Sequence, residues 1–290
     1  MAKKEKEPKK RKKEKEPQYY LSATNQQTYN YKVYYMSSVE KMVYFLIAFA
    51  VGAAVGYLFY GGLAKDSYGE ATTTTWILNI VISVGCGAIA GRLFLPMRTE
   101  QIRKKRQMEL NRQFRDMLEA LNTSLGAGKN VTDSFRSAYE DMKIQYDVGA
   151  PILNELEVVL AGIENNINIE DVLSDFGERS GNDDIVSFAD VFRVCYRKGG
   201  NMKDTIRSTH EVLSDKMEIR EEIETIVTSN RSEQYMMIAM PILLIAIIKM
   251  MSPDFAANFT TVTGVLSTTI AVIIFVIAYK IGQAVLDIKI

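Results

Sequence analysis

Two apolar runs decide the fold of this chain: MVYFLIAFAVGAAVGYLFYGGL at Met42–Leu63 and WILNIVISVGCGAIAGRLFL at Trp76–Leu95. A second pair lies near the C-terminus, at Tyr235–Met251 and Val262–Leu286. Roughly 20 apolar residues, each rising about 1.5 Å, cross a hydrocarbon core about 30 Å thick. Each run therefore has the length of a membrane span, and we predict four transmembrane helices in two pairs.

The stretch between the two pairs, residues 98–233, is polar, and its apolar residues recur at helical spacing. Gly126 and Gly128 are expected to end its first helix. The pattern Asn-apolar-x-Asp then begins three further helices, because asparagine caps helix N-termini and an early acid favours the positive end of the helix dipole. The three capping residues are Asn130, Asn168 and Asn201. The apolar stripe of the first helix comprises Leu110, Phe114, Met117, Leu118, Leu121 and Leu125.

Two more helix starts complete a predicted set of six helices. Pro151 suits the first position of a helix, and Asn182 or Asp183 begins another that ends at Gly199-Gly200. Short connections favour antiparallel neighbours. The sequence thus predicts an all-α protein whose four transmembrane helices, in two pairs, flank a cytoplasmic six-helix antiparallel bundle. The predicted segments are a tail and Tyr-rich segment at 1–40, a transmembrane hairpin at 41–97, a helical domain at 98–233 and a second hairpin at 234–290.

Small residues recur every four positions in the first two apolar runs. Rows of this kind let helix backbones approach closely in lipid, where packing rather than hydrophobicity drives association. Gly52 and Gly56 in the first run, and Gly87 and Gly91 in the second, are therefore expected to pack the two helices against each other.

Charge is distributed unevenly along the chain, although the net charge is zero. Residues 1–41 hold 11 Lys/Arg against 5 Asp/Glu, and residues 98–115 hold 7 against 2. Basic residues close to span ends stay on the cytoplasmic side, so both termini and the central stretch are predicted to be cytoplasmic and the two short loops external. Residues 116–233 hold 12 Lys/Arg against 24 Asp/Glu, net −12, which opposes nucleic-acid binding.

The N-terminal tail, KKEKEPKKRKKEKEP at residues 3–17, is expected to be disordered because it cannot bury apolar surface. Its lysines favour anionic lipid headgroups by about 1 kcal/mol each, but the interspersed glutamates weaken that attraction, and a solvated tail is the preferred interpretation. Six tyrosines follow, interpreted as an interfacial belt beside the first span, with a partner-binding segment as the alternative. They are Tyr19, Tyr20, Tyr29, Tyr31, Tyr34 and Tyr35.

The chain carries no pattern typical of a catalytic, cofactor or metal site. Cys86 lies in an apolar run and Cys195 in the polar stretch, so a disulfide between them is not expected. The single histidine, His210, lies in an acidic helical stretch and is interpreted as solvated or structural rather than catalytic. The sequence GAGKN at Gly126–Asn130 fails as a phosphate loop, because an asparagine stands where a magnesium-binding Ser or Thr is required. We expect no enzyme activity and no cofactor.

Three stretches resemble, in order, the type II secretion system F domain. Phe114–Leu121 followed by Leu125–Val131 resembles its opening: a helix, a glycine turn and a second helix. Gly177-Glu178-Arg179 with Asp183-Asp184 resembles its middle. Gly199-Gly200-Asn201-Met202, followed by a long charged helix that enters an apolar run, resembles its closing signature. One such domain between two membrane pairs is similar to the TadB and TadC platform proteins of tight-adherence, or Flp, pili.

The resemblance implies a bacterial inner-membrane platform that couples a cytoplasmic ATPase to pilin extrusion. The implied partners are a TadA-like hexameric secretion ATPase, a paired TadB- or TadC-like platform protein, pilin subunits and membrane lipids. It also implies homo- or hetero-oligomers. The acidic body of the domain is expected to offer charge complementarity to the ATPase. The predicted partner surface consists of Glu155, Glu157, Asp171 and Asp175.

Two other functional classes stay open from the residues alone. A receptor or signalling protein with a helical cytoplasmic domain would need an external sensory surface, which the short loops scarcely provide. A small transporter would need ionisable groups at mid-span, whereas Arg92 and Lys249 lie near span ends. Both classes are therefore less favoured than the assembly platform.

Overall fold

The computed structural model describes residues 16–64 and 71–286, which form two compact units. The first unit comprises the described residues within Met1–Tyr35 and Arg103–His210. The second comprises those within Met36–Ile102 and Glu211–Ile290. Apart from Glu16 and Pro17, the tail predicted to be disordered lies outside the described residues.

Helices supply nearly all regular structure in the described residues, in agreement with the all-α prediction. A short antiparallel hairpin, β1 Tyr19–Leu21 and β2 Gln27–Tyr29, precedes them, with Tyr19 opposite Tyr29. The helices are α1 Ser38–Tyr60, α2 Thr73–Gly126, α3 Val131–Gln145, α4 Pro151–Glu164, α5 Ile169–Ser180, α6 Asp183–Lys198, α7 Met202–Met251, α8 Pro253–Asn258 and α9 Val262–Leu286.

Four of these helices contain segments long and apolar enough to cross a membrane. The segments lie in α1, α2, α7 and α9, which agrees with the four predicted spans. Helix α2 has 54 residues and α7 has 50, so each joins an apolar segment to a charged one without interruption. Pro96 and Pro241 lie inside these two helices.

Aromatic side chains fill the core of the first unit. Phe114 on α2 packs against Phe176 on α5 and Phe188 on α6, with ring centroids 6.1 and 5.3 Å apart. Phe135 on α3 contacts Phe192 on α6 at 6.1 Å. The apolar stripe predicted for α2 is buried at five of its six positions, and only Leu125 is partly exposed. Amphipathic helices thus bury their apolar faces together, as the periodicity predicts.

Helix ends in the first unit follow the predicted asparagine and glycine positions. The Asn130 side chain caps α3 by accepting a hydrogen bond of 2.8 Å from the Asp133 amide. Asn168 precedes α5, but its side chain donates to the Asp171 carboxylate instead of capping a backbone amide. The Asn201 side chain precedes α7 and accepts a longer bond, 3.4 Å, from the Asp204 amide. The helix-ending glycines are Gly126 at the end of α2, Gly128 with φ +86°, Gly199 as the left-handed C-cap of α6 with φ +68°, and Gly200 beside it.

Residues 16–35, called here the N-terminal strap, fold onto the helices of the first unit. Tyr31 and Tyr34 are buried. The Arg106 guanidinium lies 4.4 Å from the Tyr34 ring and donates a 2.7 Å hydrogen bond to the Tyr29 hydroxyl. Tyr31 and Tyr34 therefore pack against protein groups, whereas the sequence interpretation placed them in an interfacial belt.

The second unit packs α1 against α2 through small residues. A Cβ added to Gly87 would lie 2.8 Å from the Phe49 carbonyl oxygen, and one added to Gly52 would lie 2.6 Å from the Ala90 Cβ. At Gly56 and Gly91 the nearest atoms belong to Cys86 and Phe45. All four glycines that the sequence singled out therefore stand where the two helices approach too closely for a larger side chain.

Polar contacts link the other membrane-length helices of the second unit. The Lys249 ammonium on α7 donates a 2.6 Å hydrogen bond to the Leu58 carbonyl in the last turn of α1. A cation at this end favours the negative pole of the α1 dipole. The Tyr60 and Thr269 hydroxyls lie 3.1 Å apart, joining α1 to α9. Lys249 is thus held by a protein group near the end of the α7 apolar segment.

Candidate partner-binding surface

Helices α4 and α5 concentrate negative charge in the first unit. Residues 151–180 contain seven acids and a single basic residue, Arg179, for a net charge of −6. Some of these acids are satisfied inside the protein and others face outward, so the partner surface depends on which carboxylates remain exposed.

The Glu155 carboxylate lies in the interior, with only 3% of the residue exposed. Arg179 donates to both of its oxygens, at 2.9 and 2.7 Å, in a bidentate pair. The Tyr31 hydroxyl of the strap donates to the same carboxylate at 3.1 Å. The structure therefore places Glu155, one of the four residues of the predicted partner surface, inside the protein with its charge already compensated.

The remaining donor of the Arg179 guanidinium, Nε, binds Asp175 at 2.9 Å. Burial alone would lower the pKa of Arg179, but the carboxylates of Glu155 and Asp175 outweigh it and raise that pKa further above its usual range. Burial, reinforced by Glu155, also raises the pKa of Tyr31 well above its usual value. Asp175 is thus bound to an internal cation and contributes little free charge to a partner.

A second ion pair inside the first unit involves another acid of α5. Glu170 is buried and accepts a 3.1 Å hydrogen bond from the Nε of Arg197 on α6. This pair connects the start of α5 to the last turn of α6. Of the seven acids of α4 and α5, three are therefore engaged in ion pairs within the first unit.

Four carboxylates remain exposed on α4 and α5, two on each helix and seven residues apart. A spacing of seven places each pair on one face of its helix, two turns apart. We call this set the acidic face. Its members are Glu157, Glu164, Asp171 and Glu178.

The acidic face has some internal hydrogen bonds that fix its side chains. The Tyr139 hydroxyl on α3 donates to Glu157 at 2.7 Å, and this bond raises the pKa of Tyr139 to about 12. The Asn168 amide donates to Asp171 at 3.1 Å. Both carboxylates are exposed, so Glu157 and Asp171 stay candidates for the predicted partner surface.

Sequence reasoning missed Arg179 as the centre of the polar interior and the strap as its cover. Arg179 also donates to the Tyr29 carbonyl at 3.1 Å, while its own carbonyl accepts from the Tyr31 amide at 2.9 Å. One signal was present: Glu155 lies three residues after Ile152 and four before Val159, within the apolar stripe of α4. A carboxylate on an apolar face requires an internal cation.

Metal ligands do not cluster in the described residues, where no three His, Cys, Asp or Glu side chains lie together in a way that could hold an ion. Both cysteines are free thiols, and the Cys195 sulfur lies 3.2 Å from the Thr205 hydroxyl.

The comparison with known protein families gives a match inside the chain. Residues 117–249 match the family model described as type II secretion system (T2SS), protein F. The matched region begins inside α2 and ends inside the apolar segment of α7, and it includes the acidic face and Arg179 but not the strap. Comparison with curated proteins and with solved structures found no match.

The family match and the helices agree on a coarse description of the molecule. The match to the protein F family model, together with four membrane-length helices, suggests a multi-pass inner-membrane component of secretion or pilus-type machinery. This description agrees with the family that the three sequence stretches resembled.

Proposed function

We propose that this chain is the inner-membrane platform of a machine that assembles tight-adherence, or Flp, pili. The protein F match over residues 117–249 is the observation that carries the proposal. Members of that family work with secretion ATPases and pilin-like subunits in membrane complexes. One matched region lying among four membrane-length helices supports the TadB- or TadC-like form of the platform.

In this proposal the segment 98–233 is cytoplasmic, together with both termini, and the hairpins 41–97 and 234–290 cross the membrane. The basic residues at 98–115 support that orientation through the positive-inside rule. Pilin subunits and a paired TadB- or TadC-like protein contact the spans, and a TadA-like hexameric ATPase contacts the cytoplasmic segment. The continuity of α2 and α7 supports transmission of force from that segment into the spans.

The acidic face is the proposed contact for the ATPase. Its four carboxylates have no counter-cation on α4 or α5, because the single basic residue there, Arg179, is buried and paired. A basic patch on the partner would relieve this uncompensated charge, and complementary charge chiefly provides specificity and a fast encounter. The exposed carboxylates of α4 and α5 therefore replace the set that the sequence predicted.

The test is co-purification of the secretion ATPase of the host cell with the tagged full chain from membranes. Isosteric neutralisation removes the charge but keeps hydrogen-bond acceptors, including the acceptor for Tyr139. We expect ATPase recovery to fall at least about fivefold, as about 1 kcal/mol of lost charge interaction implies. The acidic-face variant carries Glu157→Gln, Glu164→Gln, Asp171→Asn and Glu178→Gln.

A matched control neutralises the same number of exposed acids on other elements of the first unit. Its recovery of the ATPase should equal that of the unaltered chain. Equal recovery by the acidic-face variant would exclude this face as the ATPase contact. The control variant carries Glu140→Gln, Asp141→Asn, Asp147→Asn and Asp190→Asn.

A further inference from the structure

The charged part of α7 carries an exposed apolar row. Val212, Ile219 and Ile226 are 53%, 56% and 57% exposed. They recur every seven residues and therefore share one face of the helix over about 21 Å. Leu213, Met217 and Val227, which point to a different side of α7, are buried. The exposed row is thus additional to the face by which α7 packs in the protein.

An acidic row runs along α7 beside this apolar row. Asp215, Glu218 and Glu222 follow one another at three- and four-residue spacing, and all are exposed. No ion pair within the described residues compensates them. Like charges at this spacing destabilise a helix by about 0.2–0.5 kcal/mol per pair. The helix therefore carries two adjacent features, exposed aliphatic side chains and repelling carboxylates, that each cost free energy in the isolated protein.

One kind of partner removes both costs together. A helix with an apolar row and a neighbouring Lys/Arg row would cover the three aliphatic side chains and pair with the three carboxylates. We propose that residues 212–226 of α7, called here the α7 ridge, bind a basic amphipathic α-helix of a partner protein. The α7 ridge lies on a different helix from the acidic face, so the proposal extends beyond the proposed function and stands or falls separately from ATPase capture.

Binding can be measured with the full chain in nanodiscs of zwitterionic phosphatidylcholine. The probe is a fluorescent 21-residue helical peptide with leucine at every seventh position and an adjacent lysine row. Two comparison peptides replace lysine by glutamate or scramble the order at constant composition. We expect the lysine peptide alone to give saturable fluorescence anisotropy, since only it matches both rows in position and sign.

Charge reversal on α7 supplies a matched pair of variants. Glu218→Lys with Glu222→Lys alters the acidic row, and Glu221→Lys with Glu224→Lys makes the same charge change on another side of the helix. The first variant should bind the lysine peptide at least about tenfold more weakly, and the second should stay within about twofold. Equal weakening by both variants, or equal binding of the scrambled peptide, would overturn the proposal in favour of diffuse charge attraction.

The contribution of the apolar row to peptide binding is tested separately. Ile219→Ser should weaken binding of the lysine peptide several-fold, and an unchanged affinity would contradict docking on this row. A polarity-sensitive label on Ile219→Cys, with Cys86 and Cys195 replaced, should shift to the blue only when the peptide is added. A label already in an apolar environment without peptide would show that lipid covers the α7 ridge, and would overturn the proposal.

Discussion

Arg179 makes more polar contacts than any other side chain described above. It binds Glu155 through two nitrogens and Asp175 through the third, and it holds the strap through the Tyr29 carbonyl. Arginine suits this position because its planar fork offers several donors in a fixed geometry and stays protonated when buried. The side chain thus connects α4, α5 and the N-terminal strap.

Removing the guanidinium should leave the Glu155 carboxylate buried without its cation. Breaking a buried pair in this way costs about 3–5 kcal/mol. We expect Arg179→Met to lower the free energy of unfolding of the full chain in detergent by that amount, measured by circular dichroism during chemical denaturation. Adding Glu155→Gln should recover part of the loss, because it removes the unpaired charge.

An exposed ion pair on α2 provides the control for this prediction. Arg112 and Glu109 lie 2.8 Å apart at the surface, and such pairs contribute about 1 kcal/mol or less. Arg112→Met should therefore change stability by less than about 1 kcal/mol. A loss of similar size for Arg112→Met and Arg179→Met would contradict the assignment of Arg179 as the centre of the polar interior.

Periodicity predicts which residues of α2 and α6 are buried, because burial of a helix face depends mainly on its own sequence. It does not predict that Glu155 pairs with Arg179, since that contact joins two helices and depends on how they pack. The strap was missed for a related reason: Tyr31 reaches Glu155 across 124 positions of the chain. Local patterns therefore give the helices, and long-range polar contacts require the structure.

At the scale of elements, the packing of α1 on α2 depends on glycine at a few positions. The space available for a side chain differs between two neighbouring glycines on α2. Gly87 lies against the Phe49 carbonyl and ring, whereas a Cβ on Gly85 would meet nothing within 4 Å. The small-residue rows in the sequence single out Gly87 as a packing candidate, but sequence alone cannot say on which side of α2 the partner helix lies.

This difference between the two glycines is testable with one substitution. Gly→Leu raises helix propensity equally at both sites, so any difference in stability reports on packing. We expect Gly87→Leu to lower the free energy of unfolding in an SDS titration by about 1–3 kcal/mol, the usual cost of overpacking. Gly85→Leu should leave it unchanged or slightly higher. Equal effects at the two positions would mean that α1 does not pack at Gly87.

At the scale of the whole molecule, the chain combines four membrane-length helices with one acidic, polar helical region. Each of the two units is formed by two separate stretches of the chain. The strap, which precedes the first span, belongs to the unit that also contains Arg103–His210. The proposed orientation, inferred from basic residues, requires the strap and residues 103–210 to lie on the cytoplasmic side. The proposed ATPase contact and the α7 ridge both require that same side.

Sided cysteine labelling tests this requirement most directly. Val148, between α3 and α4, is fully exposed, and Asn258, at the end of α8, is also exposed. In chains without Cys86 and Cys195, a membrane-impermeant maleimide applied to intact cells should label Asn258→Cys and leave Val148→Cys unlabelled until the cells are lysed. Labelling of Val148→Cys on intact cells would put the acidic region outside the cell and contradict the account.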